Sequence, residues 1–303
     1  MSAPAAVARL PSGPGVYRFR DGRGHALYIG RAVNLRRRVR SYWGDLRDRP
    51  HLARMVARAV RVEALACDSE HEAAWVERNL LETRRPHWNR MLGGLETPVF
   101  IRLDPRARAP RLDTVHMVEP VRGAVHFGPY LGAVKVRLAV SALQRVFPLT
   151  YAADGITGSR RDMARVRGVA AADRDAFVTA ITAVLRRDEA GVLAVRERLV
   201  RQRDEAAARL AFEHAARLQA ECEAVDWIAA QQRAALPEPL DFEAYGWCDG
   251  VLVQLRVRGG RLCGWTQRPC APASARPRLA ATPADWMEFA RRNAHLAVSL
   301  ARP

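Results

Sequence analysis

The stretch Gly15-Val16-Tyr17-Arg18-Phe19-Arg20-Asp21-Gly22-Arg23-Gly24-His25-Ala26-Leu27-Tyr28-Ile29-Gly30 decides the fold of the N-terminal region. At each end a tyrosine stands beside apolar residues and a glycine. Asp21-Gly22 between them is a tight-turn signal, because glycine accepts positive φ. The stretch reads as an antiparallel hairpin with strands over Val16–Arg20 and Ala26–Ile29. Such a hairpin brings the Tyr17 and Tyr28 hydroxyls near one another. Taken alone, a tyrosine pair of this kind is usually there for packing.

The residues that follow change that reading. After Arg31-Ala32-Val33 a helix is expected with Asn34 as its N-cap. Leu35, Arg38, Val39 and Tyr42 then share one face, and Arg36, Arg37 and Arg40 lie elsewhere. An arginine on an apolar face needs an anionic partner. A backbone phosphate suits the planar guanidinium fork, and a surface carboxylate reached by snorkelling is the alternative. A polar connection, Trp43 to Pro50, leads to a helix over His51–Val60 and a strand over Arg61–Asp68, with Val62, Ala64 and Ala66 on one side. Ser69 and Glu72 form a capping box for the next helix. Its face carries Ala73, Val76, Glu77 and Leu80. Glu77 in that stripe must be protonated, paired with a cation or bound to a metal. One carboxylate suits Mg²⁺ or Mn²⁺, which keep most of their waters. A salt bridge to one of the many arginines is the alternative. The helix ends near Arg84-Arg85-Pro86, and Trp88-Asn89 follows in a loop.

Composition points the same way. The chain has 303 residues and a formal net charge of +17, and its calculated isoelectric point is near 11.0. Lys135 is the single lysine. So large a positive excess implies a polyanionic partner, with nucleic acid the first candidate. The five cysteines, Cys67, Cys222, Cys248, Cys263 and Cys270, are scattered and form no C-x-x-C pair, which argues against a disulfide framework or zinc site. The start lacks the apolar core of a signal peptide, and no run is long enough to span a membrane, so a cytoplasmic location is expected.

In order, the chain carries G-V-Y, ten residues, Y-I-G-R-x-x-N-L-x-x-R-x-x-x-Y, S-E-x-E-A-x-x-x-E-x-N-L and R-P-x-x-N. Over residues 11–93 this set resembles the GIY-YIG nuclease domain, in particular that of the UvrC family of bacterial excision nucleases. The resemblance implies a small mixed α/β nuclease domain over 1–94, within an α+β chain. It implies a tyrosine general base, an arginine on the scissile phosphate and a glutamate holding one divalent cation, Mg²⁺ or Mn²⁺. By position these fall on Tyr17, Tyr28, Arg38, Tyr42, Glu77 and Asn89, with Glu77 the metal ligand. Which tyrosine is the base stays open. Arg31 stands where these relatives usually carry lysine, and an arginine keeps the charge but exchanges protons poorly. Arg31, Asn34, Arg36, Arg37 and Arg40 are the expected DNA contacts.

Gly93-Gly94 marks an expected boundary. Residues 95–150 read as an α+β extension, with strands about Pro98–Leu103, Arg111–Val118 and Ala124–Phe127 and a helix about Ala133–Val146. Its F-G-P-Y and L-x-x-x-F-P-L also resemble UvrC. Residues 151–187 read as a variable linker region; UvrC proteins usually carry an iron–sulfur cysteine cluster there. This stretch holds no cysteine, so no cluster is expected. Residues 188–235 read as a helical hairpin resembling the UVR motif, through which UvrC recruits UvrB. Leu210, Phe212, Glu213, Ala216 and Leu218 are the expected partner contacts. Two such alanine-rich helices bury too little to be secure alone, which suggests docking by a second hairpin. After the linker Leu236–Pro239, residues 240–303 read as a truncated β-rich remnant with a closing helix over Pro283–Leu300. The implied function is a DNA endonuclease of nucleotide excision repair that makes a single incision, on the 3′ side of a lesion, in a UvrB–DNA complex. A catalytically weak UvrB- or DNA-binding accessory protein is the alternative.

Overall fold

The structure, a computed structural model, describes residues 3–44, 50–89, 96–106 and 108–301. The elements in order are α1 (Ala3–Ala8), β1 (Gly15–Arg20), β2 (Ala26–Ala32), α2 (Leu35–Arg40), α3 (Pro50–Arg58), β3 (Arg61–Ala66) and α4 (Glu70–Thr83). There follow β4 (Val99–Asp104), β5 (Arg111–Val115), β6 (Val125–Tyr130), α5 (Ala133–Val146), α6 (Ser159–Val166), α7 (Arg174–Leu185), α8 (Glu189–Ala208) and α9 (Phe212–Ala229). Last come β7 (Phe242–Cys248), β8 (Val251–Arg258), β9 (Arg261–Pro269), α10 (Pro272–Ala280) and α11 (Ala284–Ala301). The chain is α+β, as the patterning predicts. The expected boundary at Gly93-Gly94 and part of the Trp43–Pro50 connection lie outside the described residues.

The chain forms two compact units, Met1–Leu95 with Gln231–Pro303, and Glu96–Ala230. This differs from the serial division expected above. In the first unit β1 pairs antiparallel with both β2 and β3, giving the order β2-β1-β3. Tyr17 lies opposite Gly30, and Phe19 opposite Tyr28. With side chains alternating along a strand, Tyr17, Phe19, Tyr28 and Gly30 share one face. That face packs with Leu35, Val39 and Tyr42 into one buried cluster. Ser69 caps α4, accepting from the Glu72 amide, but Glu72 accepts from the Asp68 amide and not from Ser69, so only the N-cap half of the expected capping box forms.

Residues 240–303, expected as a β-rich stretch with a closing helix, hold β7–β9, α10 and α11. They form a second antiparallel sheet, β7-β8-β9. Helix α11 packs on β7 and on β3, and its Leu296 and Leu300 join the cluster that holds Tyr17 and Tyr42.

In the second unit β4 is central, in the order β5-β4-β6, and α5, α7, α8 and α9 surround one core. Two expectations change here. Residues 151–187 hold α6 and α7, and the linker reading fails because Ile181, Val184 and Leu185 of α7 are core residues. The hairpin α8–α9 is covered by its own chain: Leu199, Leu218, Cys222 and Val225 are buried in the same core as Val136 and Leu143 of α5. Leu218 is therefore a core residue and not a partner contact. Leu210, Phe212, Glu213 and Ala216 are exposed at and just after the turn.

Candidate active site

Four side chains predicted to form the site come together. The hydroxyls of Tyr17 and Tyr42 lie 2.7 Å apart. Arg38 Nε donates to the Tyr17 oxygen at 3.3 Å, and its guanidinium carbon lies 5.2 Å from the centre of the Tyr42 ring. The Tyr28 ring sits 6.2 Å from that of Tyr17 and 6.1 Å from that of Tyr42. Local sequence explains the assembly. The hairpin register sets Tyr17 and Tyr28 on one face. Asn34 caps α2 by accepting from the Arg37 amide, which fixes the rotation that presents Arg38 and Tyr42.

Glu77 reaches the end of β2 from α4. Its carboxylate accepts from the Arg31 amide at 3.1 Å and faces Arg31 Nε at 3.3 Å. Its side chain is 14% exposed and that of Arg31 is 43% exposed. Burial raises the Glu77 pKa; Arg31 and Arg38 pull it down without cancelling the rise. Burial also raises Tyr17, Tyr28 and Tyr42, each helped by a neighbouring tyrosine. The Glu77 charge raises Tyr28 further, and Arg38 opposes the rise at all three phenols. Tyr17 and Tyr42 are almost fully enclosed, whereas Tyr28 is half-buried. Tyr28 is thus the phenol that solvent reaches.

Other expected site residues do different work. Asn89 does not join the cluster. Its side-chain amide accepts from the Ile29 N–H at 3.0 Å and donates to the Ile29 carbonyl at 2.7 Å, closing the open edge of β2. It positions Tyr28 from the neighbouring residue. Asn34 is spent on its cap, and Arg36 donates to the Leu10 carbonyl. The Arg36, Arg37 and Arg40 side chains line a hollow beside Trp43. Arg31 faces Glu77.

The role of Gly30 escaped the sequence reading. A Cβ there would lie 2.6 Å from the Tyr17 oxygen and 2.8 Å from a Tyr28 ring carbon. Only a residue without a side chain lets the two phenols converge. The signal was the pairing of Tyr17 with Gly30, which register alone supplies. Gly30→Ala is expected to cost about 1–3 kcal/mol through overpacking. It should lower nicking of DNA more than its change in urea midpoint explains, because the clash falls on the phenols themselves.

Residues 13–90 match the family described as the UvrC-like GIY-YIG domain. The UvrABC system protein C of Syntrophotalea carbinolica is 33% identical over 239 residues, 75% of this chain and 38% of the relative. That of Desulforudis audaxviator is 31% identical over 269 residues, 85% of this chain and 44% of the relative. The chain thus spans less than half the length of these curated relatives. A solved structure, the magnesium-bound GIY-YIG N-terminal endonuclease domain of UvrC from Thermotoga maritima, is 32% identical, covering 29% of this chain and 94% of that chain with a TM-score of 0.27.

Proposed function

We propose that this chain, which belongs to the UvrC-like GIY-YIG family, is a DNA endonuclease of excision repair, dependent on a divalent metal and acting in the cytoplasm. It makes one incision, on the 3′ side of a lesion, in a UvrB–DNA complex. The observation that carries this reading is the Tyr17–Tyr42–Arg38 hydrogen-bonded group with half-buried Tyr28 and Glu77 beside it. The exposed hairpin turn with Leu210, Phe212 and Glu213 is the surface for UvrB.

The donor set fits one hard cation. Glu77 offers carboxylate oxygens whose pKa is raised by burial, so a nearby positive charge is favoured there. Among the described residues no cluster of three or more carboxylate, imidazole or thiol groups stands ready to cage a metal. A single carboxylate matches Mg²⁺ or Mn²⁺, which keep several waters and share phosphate oxygens. Glu77 would hold that ion, which when bound supplies charge to the phosphate and the leaving 3′ oxygen.

The chain's own groups supply the rest. Arg38 pairs with the non-bridging phosphate oxygens through its guanidinium fork. Tyr28 takes the proton of the attacking water at its phenolic oxygen. Tyr42 and Tyr17 hold the ring and the arginine in place. Because the Tyr28 pKa lies above its ordinary value, the reactive phenolate is scarce at neutral pH. The logarithm of the nicking rate should therefore climb with pH at a slope of about one between roughly pH 7 and 9. Tyr28→Phe should abolish the activity that carries this slope, and a flat profile in the native protein would refute the assignment of Tyr28 as base.

The test of function is an end-labelled lesion duplex with UvrA, incubated with and without UvrB, and the cut mapped. A UvrB-dependent cut on the 3′ side supports the proposal. A 5′ cut, or none, counts against it. One observation favours the accessory-protein reading: Arg31 occupies the carboxylate that the cation needs. On that reading DNA and UvrB are bound and no cut appears.

A further inference from the structure

We propose that a cleft on the opposite face of the tyrosine hairpin binds the phosphate of a nucleotide. Arg18 alternates with Tyr17 and Phe19 along β1 and so points away from the tyrosine cluster. It lines a cavity of about 290 Å³ between the two sheets of the first unit. Arg20, Arg84 and Arg256 also line it, and among the described residues none of those lining it is an aspartate or glutamate.

The wall is built for an anion. Arg18 is 6% exposed, and its guanidinium lies 3.7 Å from the centre of the Trp265 ring. Its Nε is held by Glu63, while Nη2 finds no hydrogen-bond partner among the described residues. A buried charged N–H without an acceptor is costly, so the site favours one. Glu63 does not neutralise the cleft, because the one carboxylate also holds Arg20 and Arg61. Burial pulls the Arg18 pKa down to about 10, the expected mark of a cation short of compensation. The Nη2 of Arg18, left without an acceptor, suits a phosphate oxygen.

The rest of the cleft describes the body that carries the phosphate. Ile29, Leu80 and Pro86 give an apolar wall, and Gln254 and Thr266 give hydrogen-bonding groups. A cavity of this volume takes one small ligand. A nucleoside monophosphate has the right size and mixture of surfaces. It could be a free nucleotide or a nucleotide of a DNA strand. The cleft shares β1 and β2 with the candidate active site, and its argument is independent of the function proposed above.

The experiment is calorimetric titration of the full chain with dTMP, with thymidine as the control. dTMP should bind and thymidine should not. Arg84→Gln and Gly264→Leu should each weaken dTMP about tenfold. Gly264 lines the cleft, and a Cβ there meets nothing within 4 Å, so the position accepts a side chain without a clash at the Cβ. Arg291→Gln, on an exposed arginine that pairs with Glu288 and does not line the cleft, should leave dTMP affinity unchanged. Displacement of dTMP by a short oligothymidylate would assign the nucleotide to a DNA strand; binding that the oligomer does not displace would assign it to a free nucleotide. No dTMP binding, equal binding of thymidine, native affinity in Gly264→Leu, or loss in Arg291→Gln would each overturn the proposal.

Discussion

Glu77→Ala should lower metal-dependent nicking of DNA by about 10³-fold or more, while DNA affinity and urea midpoint stay near native. The separation of effects follows from its surroundings. Its buried carboxylate has a raised pKa, so its charge does not stabilise the fold. The Arg31 side chain that pairs with it is 43% exposed and returns to water when the partner is removed. What the substitution removes is the carboxylate facing the phosphate region. Arg31→Ala is the informative companion. If Arg31 competes with the cation, its removal lowers the Mg²⁺ concentration needed for half-maximal nicking. Native nicking by Glu77→Ala would sink the metal assignment. Equal inactivity of both proteins at every Mg²⁺ or Mn²⁺ concentration would favour the accessory-protein reading.

The convergence of Tyr17, Tyr28, Arg38 and Tyr42 was legible because the parts of the site break local rules. A tyrosine pair flanking an Asp-Gly turn, an arginine on an apolar helix face and a glutamate in an apolar stripe each demand an explanation. The distances follow from short-range structure: a hairpin register and two N-caps, Asn34 on α2 and Ser69 on α4. The roles that escaped depend on groups brought together across the chain. Asn89 reads as a site residue, yet its amide is saturated by the Ile29 backbone. Asn34 and Arg36 are likewise held by backbone groups. Hydrogen bonds from a side chain to a distant backbone leave no periodicity in the sequence.

The fold shows the same division. The strands of the first sheet and the long helices α5, α8, α9 and α11 were legible within a few residues, since alternation and helical spacing are local, whereas the short helices α1, α6 and α10 were not. The grouping of elements was not. Helices α8 and α9 look too alanine-rich to be secure alone, and they are not alone, because α5 and α7 complete their core. Glycine spacing likewise hid a close approach. A Cβ at Gly246 of β7 would lie 1.9 Å from the Ala290 carbonyl oxygen of α11, so that glycine lets helix and strand touch.

Removing residues 231–303 should therefore cost the tyrosine sheet its fold, giving an insoluble or unfolded N-terminal piece. Strand β3 is the sheet edge beside which α11 lies. Asn293, fully buried, accepts from the Ala66 N–H at 2.7 Å and donates to the Ala66 carbonyl at 3.2 Å. The cap of α4 reaches the same segment: Ser69 Oγ donates to the Gln231 carbonyl at 2.6 Å, and Glu72 accepts from the Arg233 amide at 2.9 Å. Leu296 and Leu300 cover the cluster that holds Tyr17 and Tyr42. Truncation exposes that cluster and orphans these buried polar groups together. Asn293→Ala isolates one part of the loss, leaving the Ala66 backbone without its partner, and should cost about 2–4 kcal/mol in urea denaturation. Its loss of nicking at low temperature should then follow the unfolded fraction alone, because no atom of Asn293 touches the phenols. A truncated protein that keeps a cooperative transition at the native midpoint would show that the C-terminal sheet is a passenger; the shared core argues that it is part of the same compact unit as the tyrosine sheet.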